Sequence, residues 1–274
     1  MIIKRKEIEK LSADIRRIID GQAVDLRDNL EGRLSILKND IHTLAGRLNE
    51  QADNLQKEKI ALAGTLADIS HQLKTPLTAM MVMVELLGDA PPEKAAEFIL
   101  NLKQGLTQTG WLVNSLLKMA KLDSGTAHFS YTDVTANELL QAALRPLQVL
   151  LDIKGQNVAL TGEANFNCDK NWTAEALTNI IKNASEISPD GSTIKVTAGK
   201  NPIASWLSVT DEGTGIPLSE IKSLFGRFNN KSKQGTGIGL SLALAIMQGQ
   251  NGDIEVDGGE KGQGATFTLK FYKR

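Results

Sequence analysis

Cysteine is nearly absent: Cys168 stands alone, which excludes a disulfide framework and any paired-cysteine metal knuckle and fits a reducing compartment. Alone, Cys168 reads as a small packing residue. Aromatic residues are scarce, at 7 Phe, 3 Trp and 2 Tyr. Neither His42 nor His128 has a Cys/His cluster near it in sequence, so both read as surface residues rather than ligands. A surplus of one charge is also missing: 31 Lys+Arg face 32 Asp+Glu, and this balance argues against nucleic acid as a partner. No apolar run approaches the roughly 20 residues of a membrane helix, and Met1 to Lys6 is too short for a signal peptide. As it stands the chain reads as soluble and cytosolic. What is present is a foldable composition, 41% hydrophobic with 24 Gly and 7 Pro, in a length of 274 residues. That length suggests about two domains.

The first 126 residues or so carry helical periodicity. Ile8, Leu11, Ile15 and Ile18 form a short amphipathic stripe that breaks at Asp20-Gly21-Gln22, with Val24, Leu26 and Leu30 at wider spacing. A second stripe contains Leu34, Ile41, Leu48, Leu55, Leu62 and Ile69, a strict seven-residue row that calls for a partner helix. Pro76 interrupts it, where a kink is expected, and Leu77, Met80, Val84 and Leu87 resume it. Gly88 to Pro92 closes that helix. Phe98, Leu102, Leu106, Trp111 or Leu112, Leu116 and Met119 mark a third, which ends before Asp123-Ser124-Gly125. Trp111 reads as packing. Two long antiparallel helices make a hairpin, and two hairpins make a four-helix bundle.

After Gly125 the texture changes. Strand-like segments 193–197, 205–209 and 265–271 alternate with helical segments 136–151, 172–188 and 238–250, as in an α+β sandwich over 127–274. Three polar or glycine-rich clusters lie within it. Asn179-Ile180-Ile181-Lys182-Asn183 puts two amides on one helical face, with Glu175 one turn earlier. Asp211-Glu212-Gly213-Thr214-Gly215-Ile216-Pro217 follows a strand. Gly235-Thr236-Gly237-Ile238-Gly239-Leu240-Ser241 opens an apolar helix, where bare backbone and free N–H groups favour phosphate. The last cluster is neither a Walker loop nor the dinucleotide fingerprint. Alone, a turn and helix cap explain it as well, and surface amides explain the Asn pair.

Their order is more specific. Asn-x-x-x-Asn, Asp-x-Gly-x-Gly, Phe225-Gly226-Arg227-Phe228 and Gly-x-Gly-x-Gly resemble the N, G1, F and G2 boxes of sensor histidine kinases. Upstream, Ile69-Ser70-His71-Gln72-Leu73-Lys74-Thr75-Pro76-Leu77 resembles their phosphoacceptor H box. Residues 1–52 are similar to a HAMP signalling module, with Asp28 and Glu31 loosely matching its glutamate. The resemblance implies a multidomain chain: an all-α N-terminal dimerisation region, coiled coil and four-helix bundle in the dimer, followed by an α+β ATP-binding sandwich. The implied partition is a HAMP-like segment over 1–52, a dimerisation and phosphotransfer hairpin over 53–125, and an ATP-binding domain over 127–274.

The resemblance also implies roles. His71, about 200° around the helix from Ile69 and therefore solvent-facing, takes the γ-phosphoryl of Mg-ATP and passes it to an aspartate of a response regulator receiver domain. Thr75, one turn on, places the water for regulator dephosphorylation. Asp211 accepts the adenine amino group, with Gly213, Gly215, Ile216 and Thr266 around the base. Asn183 ligates Mg²⁺, and Asn179 and Lys182 lie on the phosphate side. Gly235, Thr236, Gly237, Ile238, Gly239 and Leu240 form the return of the lid. Further implications are a homodimer and, from the basic Lys4-Arg5-Lys6, the cytoplasmic portion of a bacterial membrane-anchored receptor.

The sequence departs from the family at several points. Gln72 replaces the acidic residue after the histidine and cannot accept a proton at neutral pH. Glu186 replaces a frequent basic residue. The arginine after the F box is absent at Asn229-Asn230, which leaves Lys231 or Lys233 to supply a cation. Gln72 and Glu186 keep open a second reading, an ATP-binding scaffold acting mainly as a regulator phosphatase. A related ATPase or protein-serine kinase on the same fold is disfavoured by the H box.

Overall fold

The computed structural model describes residues 5–20, 22, 24–26, 33–88, 90–228, 237–259 and 262–273. Asp28, Leu30, Glu31, Asp89, Asn229, Asn230, Lys231, Lys233, Gly235 and Thr236 lie outside the described residues. The chain divides into two compact units, Met1–Ile69 and Ser70–Arg274.

In the first unit, α1 (Arg5–Ile19) stops where the apolar stripe breaks. Leu11 is buried and Ile15 and Ile18 are half-buried, whereas Ile8 is exposed. The next helix, α2 (Arg33–Leu87), runs 55 residues as one element, and its residues from Ser70 onward, Pro76 among them, belong to the second unit. The proline removes one N–H from the ladder without ending the helix. The Thr75 hydroxyl donates to the His71 carbonyl at 3.1 Å, one turn back.

In the second unit, Pro91 caps α3 (Pro92–Asp123) and Pro92 occupies its first turn, where the missing N–H has no consequence. Met80 of α2 is buried against Gly105 of α3, where a Cβ would lie 2.9 Å from the methionine side chain. The hairpin therefore closes on a glycine notch.

The sheet domain opens with β1 (Thr132–Thr135), whose last residue starts α4 (Ala136–Leu144) through a reciprocal Thr135–Glu138 capping box. Pro146 lacks the N–H that would continue α4, so a 3₁₀ turn (Arg145–Leu147) separates it from α5 (Gln148–Lys154) and breaks the single helix expected over 136–151. The strands β2 (Asn157–Thr161) and β3 (Asn165–Cys168) follow, and Asp169 caps α6 (Lys170–Ile187). After these come β4 (Thr193–Lys200), β5 (Ala204–Thr210), α7 (Leu218–Ile221), α8 (Gly239–Gly249), β6 (Gly252–Asp257) and β7 (Thr266–Tyr272). The five-stranded sheet runs β2-β4-β5-β7-β6, with only β2–β4 parallel, and β1 pairs with β3 separately.

Alternate strand residues (Ile194, Val196, Leu207, Val209, Phe267, Leu269) join Leu177, Ile180, Ile181, Leu242 and Ile246 of α6 and α8 in one buried core. A helical N-terminal region is thus followed by a sheet domain covered by helices. Four strands, β1, β2, β3 and β6, lie outside the segments expected from sequence. Each is only four to six residues long and sets polar residues such as Asn157, Asn165, Asp133 and Glu255 against a few apolar ones.

Candidate active site

Asp211 is the first residue beyond β5 and is 2% exposed. Its Oδ1 accepts from the Gly213 N–H at 2.8 Å and the Ala265 N–H at 3.1 Å. Its Oδ2 is buried and has no hydrogen-bond partner among the described residues. Burial pushes the carboxyl up from its ordinary value, against the two backbone bonds that pull it down. A buried carboxylate oxygen without a donor is costly, and a ligand N–H would satisfy it.

The surrounding backbone approaches too closely for side chains. A Cβ on Gly264 would lie 2.0 Å from the Asp211 carbonyl oxygen, and one on Gly213 would lie 2.3 Å from Ile187 Cγ2. Gly264 and Gly215 also adopt positive φ, at 78° and 77°. The Ile216 N–H bonds the Gly258 carbonyl at 2.8 Å, strapping the turn after β5 to the segment before β7. Thr266, half-buried at the start of β7, shares a 2.9 Å hydrogen bond with Thr210.

On α6, Asn179 is buried, and its Nδ2 donates to the Glu175 carbonyl at 2.9 Å. Its Oδ1 faces the start of α8, 3.0 Å from where a Gly239 Cβ would stand. Asn183 is half-buried one turn further on. Gly237 turns the chain at φ 69°, and its carbonyl accepts from the Phe228 N–H at 3.1 Å. Ile238 is buried in the core and Leu240 packs against it, so both contribute backbone rather than side chain to this surface. Among the described residues no side chain caps α8, and the start of a helix is a place where N–H groups can meet an anion.

These features fit an adenine nucleotide: a buried acceptor for a ring amine, a bare glycine floor, and an uncapped helix start for phosphate. Among the described residues no group of three His, Cys, Asp or Glu is placed to hold a metal ion.

Lys182 is the exception within this group. Its Nζ lies 4.5 Å from the centre of the Trp111 ring on α3 and 3.9 Å from Glu186. Glu175, one of the α6 residues singled out by sequence, is ion-paired with Lys118 of α3 at 2.8 Å. Trp111 therefore does more than pack. The seven-residue spacing of Trp111 and Lys118 was visible in the sequence, but not the helix they would meet.

His71 and Thr75 are exposed on α2 and Gln72 is half-buried. His71 and Thr75 line the same groove of about 750 Å³, with Ala79, Val82, Met83 and Phe98 along its length. Among the described residues no hydrogen bond joins this histidine surface to the Asp211 surface.

Comparison with known proteins finds two family models that match separate stretches of the chain. The model of the His Kinase A (phospho-acceptor) domain matches residues 61–125, and that of the histidine kinase-, DNA gyrase B- and HSP90-like ATPases matches residues 168–274. The chain is 28% identical to the heme sensor protein HssS of Staphylococcus saprophyticus over 98% of its own length and 58% of that protein. It is 31% identical to the sensor histidine kinase WalK of Bacillus subtilis over 75% of its own length and 36% of WalK. It thus spans about half the length of these relatives. Among solved structures, the histidine kinase AdeS of Acinetobacter baumannii matches with a TM-score of 0.62 at 23% identity, covering 74% of this chain and 97% of that one. ThkA, solved in complex with the response regulator protein TrrA, matches with a TM-score of 0.64 at 18% identity, covering 82% and 66%.

Proposed function

As the chain belongs to the sensor histidine kinases of two-component signalling, we propose that it phosphorylates its own His71 from Mg-ATP and passes the phosphoryl group to a response regulator aspartate. The observation that carries the nucleotide side is the buried, donor-less Oδ2 of Asp211 inside its glycine cradle. There the carboxylate takes the adenine amine, Asn183 holds the magnesium that accompanies the phosphates, and the start of α8 faces the phosphates. Gly213, Gly215 and Ile216 shape the floor, and Thr266 closes it.

His71 supplies the nucleophile. A neutral imidazole nitrogen attacks the γ-phosphorus, the P–N bond forms as the P–O bond to ADP breaks, and positioning with charge neutralisation supplies most of the catalysis. Gln72 accepts a hydrogen bond from the ring and so orients it. Thr75, on the same exposed face, helps place the water that hydrolyses the regulator's phosphoaspartate to aspartate and inorganic phosphate. The receiver domain docks beside His71. The exposed Leu48, Leu55, Leu62 and Leu66 of α2 support a homodimer, since so long an apolar row needs a partner helix. Residues 1–52 then act as the signalling segment, 53–125 as the hairpin and 127–274 as the ATP-binding domain. No helix among the described residues is long and apolar enough to cross a membrane. Anchoring in the cell membrane through a segment outside this chain follows from the family reading.

The test is incubation with γ-labelled Mg-ATP. Label on the protein that is lost in acid and kept in base is expected, and His71→Ala should abolish it while nucleotide binding persists. Label remaining on the His71→Ala protein would overturn the assignment.

A further inference from the structure

Two helices meet across matching intervals. Trp111 and Lys118 are seven residues apart on α3, and Glu175 and Lys182 are seven apart on α6. They pair in antiparallel register, Lys118 with Glu175 at 2.8 Å and Lys182 over Trp111 at 4.5 Å. A third link joins the nucleotide-side segment 225–228 to the end of α3, with Arg227 donating to Asp123 at 2.7 Å. The same α6 face carries Asn179 and Asn183, so Lys182 projects from the helix proposed to meet the phosphates while its ammonium rests on a ring of the hairpin.

We propose that Trp111 and the nucleotide phosphates compete for Lys182, which makes Trp111 a positioning residue that lowers nucleotide affinity while α6 is docked on α3. The inference rests on the nucleotide reading above and extends it to a coupling between occupancy and docking. One ammonium cannot both lie over the ring and neutralise a phosphate oxygen. Phosphate binding therefore draws Lys182 from Trp111, and by linkage the docked ring opposes phosphate binding to the same degree. Adenosine, which engages Asp211 but carries no phosphate, is outside this competition.

The test is a calorimetric binding cycle with adenosine and a non-hydrolysable ATP analogue on the parent, Trp111→Leu, Lys182→Gln and the double variant. Trp111→Leu should bind the analogue about two- to five-fold more tightly, the equilibrium equivalent of a partly exposed cation–ring contact. Adenosine affinity should not change, and the gain should vanish in the Lys182→Gln background. Trp111→Phe, which keeps a weaker ring, should fall between parent and Trp111→Leu. A second readout is the Trp111 emission, isolated by subtracting the Trp111→Phe spectrum: the analogue should shift it and adenosine should not. The inference is overturned if Trp111→Leu leaves analogue affinity unchanged, changes adenosine affinity equally, or keeps its gain without Lys182. A parent that binds neither ligand would instead overturn the nucleotide reading, and the inference with it.

Discussion

Replacing Asp211 with asparagine separates what the carboxylate does for the ligand from what it does for the fold. Oδ1 is fixed by two backbone donors, Gly213 and Ala265, and an asparagine amide oxygen can take both bonds. The amide nitrogen then falls where Oδ2 stood and turns a donor toward a ligand amine that needs an acceptor. A hydrogen bond to a charged group contributes about 1.5–3 kcal/mol, so adenine nucleotide affinity should fall by about 10- to 150-fold. The nucleotide-free protein should behave differently, because the substitution removes a buried charge with an unsatisfied oxygen. Its melting temperature at neutral pH should be equal to or above that of the parent.

The pH dependence has a definite sign. Burial raises the folded-state pKa of Asp211 above its unfolded value, so folding favours the protonated form. Relative to the asparagine variant, the nucleotide-free parent is therefore most stable below the ordinary aspartate pKa, and it loses that advantage as pH rises through the raised value. Nucleotide affinity runs the other way and weakens as protonation removes the acceptor. Calorimetry with adenosine, and thermal unfolding across this range, would measure both. An asparagine variant with parental affinity, or one that melts far below the parent without nucleotide, would refute the reasoning.

Gly264→Ala should destabilise the sheet domain by about 1–3 kcal/mol from the positive φ alone, before the clash with the Asp211 carbonyl is counted; an unchanged denaturation midpoint would contradict the cradle. Gln72→Glu should speed single-turnover autophosphorylation by about tenfold at most, well below the 10²- to 10⁴-fold of a general base, if the amide oxygen orients the ring as proposed. A thousandfold rescue of an inactive parent would instead favour the phosphatase-scaffold reading.

Elements with strong periodicity were legible in the sequence: the long helices, α6 and α8 within two residues of their ends, and the strands β4, β5 and β7, whose buried residues alternate. The strands β1, β2, β3 and β6 were not, since their few apolar residues declare themselves only against a completed core. Pro146 breaks the single helix expected over 136–151, because it lacks the N–H that would continue the ladder. At the site, the position of Asp211 after a strand and the glycines around it were readable as a pattern. Which oxygen is left without a donor depends on Ala265, 54 residues away, and no local rule reports it. The bond between Lys182 and Trp111 is of the same kind. Each helix displays its seven-residue face, but the pairing exists only once α3 lies against α6.

The strength of that docking follows from what the two sides bury. Leu112 and Met119 of α3 are 1% and 4% exposed and belong to the same core as the sheet domain, against which Leu73, two residues from His71, also packs. Full burial of such side chains is worth about 1.5–3 kcal/mol each. The polar links are weaker. The Lys118 and Arg227 side chains are 38% and 43% exposed, and ion pairs in that setting contribute at most about 1 kcal/mol. The apolar seam therefore holds α3 against the sheet domain, and the polar links fix the register in which it is held. A nucleotide that takes Lys182 from Trp111 weakens one register contact and leaves the seam intact. Its effect on docking is then graded, a few-fold shift in an equilibrium rather than release, and complete separation requires a perturbation of the seam itself.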